Sequence, residues 1–430
     1  MKSKQGGEAT GPRIDQGMAE NTIITRVLTS VQQLDAQTWN ALLASQTTPT
    51  PFMRHEYLAA MECSGSATPE TGWTARIVTI WDGDELLAAC PLYLKTHSYG
   101  EYVFDWAWAR AYEQHGLPYY PKAVLAVPFT PVPGSRLLAR SPLLRVALVR
   151  AVQEWAAAMQ LSSLHLLFGD ADDLAACEQA GWMLRSGLQF HWSNSAGPAW
   201  QDFEGFLASL NQDKRKKIRQ ERRKVSEAGV SFRTLAGPEI GAADWAFFYR
   251  CYERSYLEHG NPPYLSPEFF AAMARTMPEN WVMFIAERER QPIACSLIAV
   301  SADPARASAS KLAETMTDQA LPAIKTGAAY GRYWGALERV DCLHFEACYY
   351  QPIEWCIAHG FASFEGGAQG EHKMARALLP VATPSAHWVA HPAFADAIAR
   401  FLDREGAGMA GYVQELQAHN PLRRGAPPAA

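Results

Sequence analysis

The chain has 430 residues, 48% of them hydrophobic and 19% charged, with a net charge of −5. That length suggests two or three domains, each able to bury a core, and that charge excludes a protein whose whole surface is a nucleic-acid footprint. No stretch reaches the roughly 18 uninterrupted apolar residues that a membrane-spanning helix needs, so at most peripheral contact with the inner membrane is expected.

The opening MKSKQGGEATGPRIDQGMAEN is polar, Gly-containing and without the apolar core of a signal peptide. Residues 1–20 are expected to be disordered and the protein cytoplasmic. The first patterned segment is WTARIVTIWDGDELLAACPLYL, Trp73 to Leu94. It reads as two strands joined at Asp82-Gly83, because Gly tolerates the positive φ of a tight hairpin turn. A run rich in Trp and Tyr follows. Tyr99, Glu101, Asp105, Trp106, Trp108, Tyr112, Glu113 and His115 combine aromatic walls with a few acids, a composition suited to a ligand groove or to domain packing. Ala123 to Phe129 reads as a buried strand, TPVPGSR as a turn, and Pro142 onward as a helix. Ser141 is placed to cap it, with Leu144, Leu148, Val152 and Trp155 on one face. Ser162 to Phe168 is the next predicted strand.

Mid-chain, eight of the eleven residues from Lys214 to Lys224 are Lys or Arg. Ile218 and Val225 supply a thin apolar seam, and Gly229 a stop signal for a helix. Such a run is either a solvated face or the seat of an anionic partner: a cofactor phosphate, tRNA or an acidic lipid surface. Lys216, Arg219 and Arg223 are the candidate anion-binding residues.

WVMFIAERERQPIACSLIAV, Trp281 to Val300, repeats the hairpin layout with a charged turn. Residues 301–329, rich in Ala, Ser and Thr, read as a mobile insertion. AYGRYWGAL and LHFEACYY (Leu343 to Tyr350) read as strands, Pro352 as the start of a short helix ending at His359-Gly360, and FASFEGG as the last strand of the unit. Each half is therefore a hairpin feeding a strand–turn–helix–strand crossover with parallel strands. Ligands gather at the carboxyl ends of such strands, which is where Gly366-Gly367 falls. The eight cysteines show neither C-x-x-C nor zinc-ligand spacing. They read as core residues of a protein from a reducing compartment, with no metal site.

HSYGEYVFDWAWARAYEQHGLPYYPK, KRKKIRQERR, AYGRYWGALERVDCLHFEACYYQPIEW and FEGGAQGEHKMARALLP resemble the bacterial FemAB-like N-acyltransferases, within the Gcn5-related N-acetyltransferase superfamily, over roughly Phe52 to Leu402. The resemblance implies a mixed α/β fold of two tandem acetyltransferase-like domains. These would be residues 21–200 and 230–402, joined by a basic helical connector at 201–229 and followed by a C-terminal helix and tail at 403–430. It implies transfer of an acyl or aminoacyl group from an activated carrier to an amine, such as a cell-wall or lipid precursor. Fem proteins carry an aminoacyl group from tRNA to a peptidoglycan precursor, so a tRNA-dependent aminoacyl ligase is one alternative. A non-enzymatic protein that binds an envelope glycan or lipid is another. No tightly bound cofactor is expected. Acyl-CoA, acyl carrier protein or aminoacyl-tRNA would be the donor substrate. The superfamily's Gln/Arg-x-x-Gly-x-Gly/Ala pyrophosphate loop is missing, and TPVPGSR is the nearest substitute.

Acyl transfer to an amine needs a base, a cradle for the tetrahedral oxyanion and a proton for the leaving group. Glu371 or His372 could take the amine proton, and the Tyr349 phenol could protonate the leaving group. Gly366 and Gly367 allow close backbone approach, Gln369 offers an amide, and Lys373 or Arg376 could steady a carboxylate or phosphate. Read as a strand, LHFEACYYQ adds Glu346 and Gln351 to the same edge. Tyr99, Asp105 and Trp106 complete the expected substrate-binding set.

Overall fold

The computed structural model describes residues 23–194, 200–301, 327–367 and 370–422. The expected disordered tail at 1–20 and most of the 301–329 insertion lie outside them. The first half carries strands β1 (Ile23–Leu28), β2 (Trp73–Asp82), β3 (Glu85–Lys95), β4 (Lys122–Leu125), β5 (Leu138–Ala139), β6 (Ser163–Leu166), β7 (Met183–Arg185) and β8 (Leu188–Ser193). The second carries β9 (Val230–Ala236), β10 (Trp281–Arg288), β11 (Gln291–Val300), β12 (Ala328–Ala336), β13 (Ser363–Glu365), β14 (Leu379–Ala382) and β15 (Ser385–Val389).

Two mixed sheets result. One runs β1-β2-β3-β4-β6-β15-β7, with β5 also on β3. The other runs β9-β10-β11-β12-β13-β8-β14. The orders correspond place for place. β2–β3 and β10–β11 are the matching antiparallel hairpins, and β4–β6 and β12–β13 the matching parallel pairs. Gly83 turns the first hairpin at φ 58°, and Glu289 and Arg290 turn the second at 53° and 65°. The sixth place in each sheet is filled from the other half: β15 lies between β6 and β7, and β8 between β13 and β14. One apolar core also spans both halves, with Phe52 edge-on to Tyr330 and Tyr57 edge-on to Phe269, each at 5.3 Å. This exchange predicts that the halves fold only together. Residues 1–194 expressed alone should lack cooperative unfolding by circular dichroism, and co-expression with residues 200–430 should restore a co-purifying pair. An independently folded first half would contradict the exchange.

Helix α1 (Pro142–Ala158) crosses from β4 to β6, opened by Ser141, whose hydroxyl accepts from Leu144 N–H, and by Pro142 in the first turn. The matching crossover from β12 to β13 differs from the sequence reading. Leu343–Tyr350 is not a strand. It is helical from Leu343, widens into a π-turn over Glu346–Tyr350 and continues as Gln351–Ala358; the whole is α2 here. Leu343, Ala347, Tyr350, Ile353 and Ile357 recur at helical spacing and are all buried, which outweighs the aromatic content that suggested a strand. Pro352 therefore sits inside a helix, just past the widened turn, a register change that often accompanies a position unable to donate its own N–H.

The basic segment forms α3 (Gln212–Glu227), with Ile218 and Val225 buried and Gly229 at φ 74° just beyond its end. The last helix, α4, is Pro392–Ala418 and begins before the expected 403. TPVPGSR is not a phosphate loop. It is buried, and β5 with the Ser141 cap separates it from the helix start. A Cβ on Gly134 would lie 2.4 Å from the Thr50 methyl.

Candidate functional site

β12 and β13 pair only from Ala328–Tyr330 to Ser363–Glu365. Beyond that point β13 ends, β12 runs on to Ala336, and a cavity of about 540 Å³ opens between them. Gly331, Gly366 and Gly367 line it at the parting strands. A Cβ on Gly366 would lie 2.3 Å from Leu378 Cδ2, so a side chain there would force the buried Leu378 to move; Gly367 stands at φ 85°. β12 is bulged here: Leu297 faces Tyr333 and Ile298 faces Gly331, so Arg332 is the unpaired extra residue. A bulge re-aims the side chain it carries, and Arg332 lines the cavity with Tyr333 and Trp334.

The other walls come from three segments. The first turn of α2 brings His344, and its π-turn brings Cys348 and Tyr349, onto the cavity. A 3₁₀ turn at Glu371–Arg376 brings His372 and Lys373. The first half reaches across with Ser98, Tyr99, Tyr102, Phe104 and Trp106. Tyr99 is 61% exposed and meets Trp106 edge-on at 5.1 Å, so the mouth is aromatic.

The polar groups are specifically placed. Lys373 is buried, and its Nζ donates to the Gly367 carbonyl at 2.8 Å. Burial lowers its ammonium to about 8. His372 Nε2 lies 3.2 Å from the Tyr349 hydroxyl. Partial desolvation, then the charges of Arg376 and Lys373, lower the imidazole of the exposed His372 below its ordinary value, which favours the neutral form that can accept a proton. Burial pushes the Tyr349 phenol up, which keeps it a proton donor.

Several expected ligand residues are held elsewhere. Asp105 is buried away from the cavity, where Lys122 and the Tyr119 hydroxyl (2.5 Å) both bind it. Burial would raise its carboxyl, but Lys122 pulls it below the usual range. Glu346 faces α3, 3.1 Å from Arg222, and accepts from Gln351 Nε2 at 2.7 Å. The helical turn puts Tyr349 and Gln351 on different sides, where a strand would have aligned them. Arg376 pairs with buried Glu221 at 2.9 Å, lies 3.6 Å over the Phe345 ring and donates to the His372 carbonyl at 2.7 Å. It anchors the turn instead of lining the cavity. Gln369 and the side chain of Glu371 lie outside the described residues. Lys216, Arg219 and Arg223 are exposed on α3, away from the cavity. Arg219 meets Glu204 at 2.5 Å and Arg223 meets Glu227 at 3.5 Å, so the run is partly neutralised.

Sequence reasoning passed over Arg332, Tyr333, His344, Cys348 and Tyr102. The one available signal was Gly331 followed by Arg and two aromatics inside a strand. Among the described residues, no cluster of His, Cys, Asp and Glu could hold a metal ion, and no helix is long and apolar enough to cross a membrane.

Two mixed sheets of matching order, with a cavity where parallel strands part, define the tandem acetyltransferase-like class. The model of the FemAB-like family, described as peptidoglycan biosynthesis/recognition, matches residues 30–305 and 307–424, and the chain belongs to that family. Its fold is similar to the crystal structure of FemX, at 9% identity and a TM-score of 0.50 over 85% of this chain and 98% of that one. Two further solved structures are similar at lower scores. The C-terminal domain of a putative lysylphosphatidylglycerol synthetase from Agrobacterium fabrum gives 10% identity and 0.47, over 87% and 97% of the two chains. A tandem acetyltransferase-like protein of the clavulanic acid pathway gives 13% and 0.41, over 86% and 98%. No curated protein sequence matches.

Proposed function

We propose that the chain is an N-acyltransferase that moves an acyl or aminoacyl group from an activated carrier to an amine of an envelope precursor. The observation that carries this reading is the cavity at the β12–β13 parting, where Gly366, Gly367 and Lys373 converge beside a neutral His372. Lys373, charged at neutral pH, faces the position where a tetrahedral oxyanion would form, and the two glycines let the reacting carbonyl come close. His372 takes the proton of the attacking amine. Tyr349, bonded to His372, returns a proton to the leaving group. The family's description supports an envelope substrate.

The exposed cations of α3 favour charged tRNA as the donor over a thioester. Reversing Lys216, Arg219 and Arg223 to Glu together should weaken tRNA binding, with a shallower fall of affinity as salt rises, because released counterions set that slope. Folding should change little, since exposed ion pairs contribute about 0–1 kcal/mol. Filter binding at several salt concentrations, alongside acyl-CoA and acyl carrier protein, tests this. Unchanged tRNA affinity in the variant would return the donor to a thioester or leave the helix a solvated face.

A further inference from the structure

The cavity holds an imbalance of charge that the transfer chemistry above does not use. Its lining includes Arg332 and Lys373 and no Asp or Glu among the described residues. His344 is held neutral, its imidazole lowered to about 4 by burial and by His372. Several arginines elsewhere are given counter-ions: Arg54, Arg185, Arg222 and Arg376 each have a carboxylate within 3.1 Å. Arg136, buried without one, rests both terminal nitrogens on the carbonyls of Gly134 and Val132. Arg332 has neither arrangement. Its Nη2 donates to the Phe129 carbonyl at 2.8 Å, its Nε is buried without a partner, and no described carboxylate lies within ion-pair distance. The guanidinium sits over the rings of Phe52 and Tyr333, at 5.4 and 5.2 Å, so aromatic faces and one carbonyl are its described partners. The Tyr333 hydroxyl is also buried, close to the guanidinium and to the Tyr57 hydroxyl. Glu365, an acid that feels the charge of Arg332, is pushed up to about 8 by burial, so it carries little charge at neutral pH.

A cation partly withdrawn from water without a counter-ion is costly. A bound anion would relieve that cost. We propose that Arg332, with Tyr333, forms an oxyanion subsite, so that the molecule bound in this cavity carries a carboxylate or phosphate group beside an apolar or aromatic body. The bulge places Arg332 on the wall formed by β12, while Lys373 comes from the turn after β13. One substrate can therefore present its anionic group to Arg332 and its reacting centre to Lys373. This inference rests on the transferase reading for the identity of the reacting centre, not for the binding itself.

The test is direct binding, read by fluorescence of Trp106 and Trp334 in the cavity wall. The probes are 3-phenylpropionate, its amide and phenyl phosphate. The wild-type chain should bind the carboxylate ten- to hundredfold more tightly than the amide, the range expected of a charge-assisted bond. Phenyl phosphate binding more tightly than phenylpropionate would assign the subsite to phosphate, and the reverse to carboxylate. Arg332→Gln should erase the preference over the amide. Tyr333→Phe should weaken anion binding several-fold, because the hydroxyl that flanks the guanidinium is lost. Equal binding of carboxylate and amide, no binding of any probe, or a preference that survives Arg332→Gln would overturn the proposal. If Arg332→Gln does not fold, the wild-type preference and Tyr333→Phe decide. Anion preference without turnover of any donor would keep the subsite and reject the transferase. Turnover without anion preference would do the opposite.

Discussion

Lys373→Met should lower transfer by about 10²–10³-fold, the cost of removing one donor to a developing oxyanion. Binding of the acceptor should change far less, because this contact strengthens only as the oxyanion forms. The pH dependence follows from the ammonium at about 8. A role that needs the charged amine is intact below pH 8 and is lost as pH rises through it. Stability should run the other way. Between pH 8 and the ordinary lysine value of 10.5, the unfolded chain binds a proton that the folded chain has released, so this residue's contribution to stability rises with pH across that window. Lys373→Met should remove that slope. Denaturant melts at pH 7, 8.5 and 10 and a pH–rate profile check the two halves of the prediction. A variant with full activity would make Lys373 only a clasp on the Gly367 carbonyl.

Glu221→Ala should destabilise the fold by about 3–5 kcal/mol, the usual result of leaving a buried charge unpaired. Glu221 is buried on α3, where it accepts from the Tyr350 hydroxyl and pairs with Arg376. Arg376 in turn holds the His372 carbonyl. Loss of Glu221 should therefore loosen the turn that carries His372 and Lys373, and activity should fall along with stability. The double replacement Glu221→Leu with Arg376→Met should recover most of the stability, because removing a whole buried pair is often neutral. Activity should return only in part, since the His372 carbonyl would still lack its donor. Chemical denaturation of the wild type and the two variants, with turnover measured on the same samples, separates the effects. A wild-type midpoint for Glu221→Ala would mean that water already shares the pair.

The parts of this fold that the sequence announced are those with local causes. Asp82-Gly83 marked one hairpin and the alternation through Trp281–Val300 its counterpart. Ser141-Pro142 marked a helix start, and Gly229 a helix end. Gly366-Gly367 and Lys373 were legible as a site because glycines at a strand's carboxyl end serve close approach. What stayed hidden depends on distant partners. Nothing in β8 or β15 says that each inserts into the sheet of the other half, since the pairings of Trp192 with Phe364 and of Ala386 with Leu166 join segments far apart in sequence. Glu346, Asp105 and Arg376 looked like ligands because a lone charge in a motif does not reveal its counter-ion. Arg332 looked ordinary for the converse reason: an arginine in a strand gives no sign that it will be left without one. Leu343–Tyr350 misled because aromatic residues favour strands, while its helical spacing becomes plain only when Ile353 and Ile357 are included.

The central claim is that this cavity transfers a group to an amine, and following the group itself tests it most directly. The chain would be incubated with an amine acceptor pool from the envelope and with donors carrying a radiolabelled acyl or aminoacyl group on coenzyme A, acyl carrier protein or tRNA. The labelled products would then be resolved for wild type and Lys373→Met. Label appearing in an amide of the acceptor with wild type, and at least a hundredfold more slowly with the variant, is the predicted result. Donor binding with no label transferred from any carrier would contradict the account and leave a protein that binds envelope components without changing them.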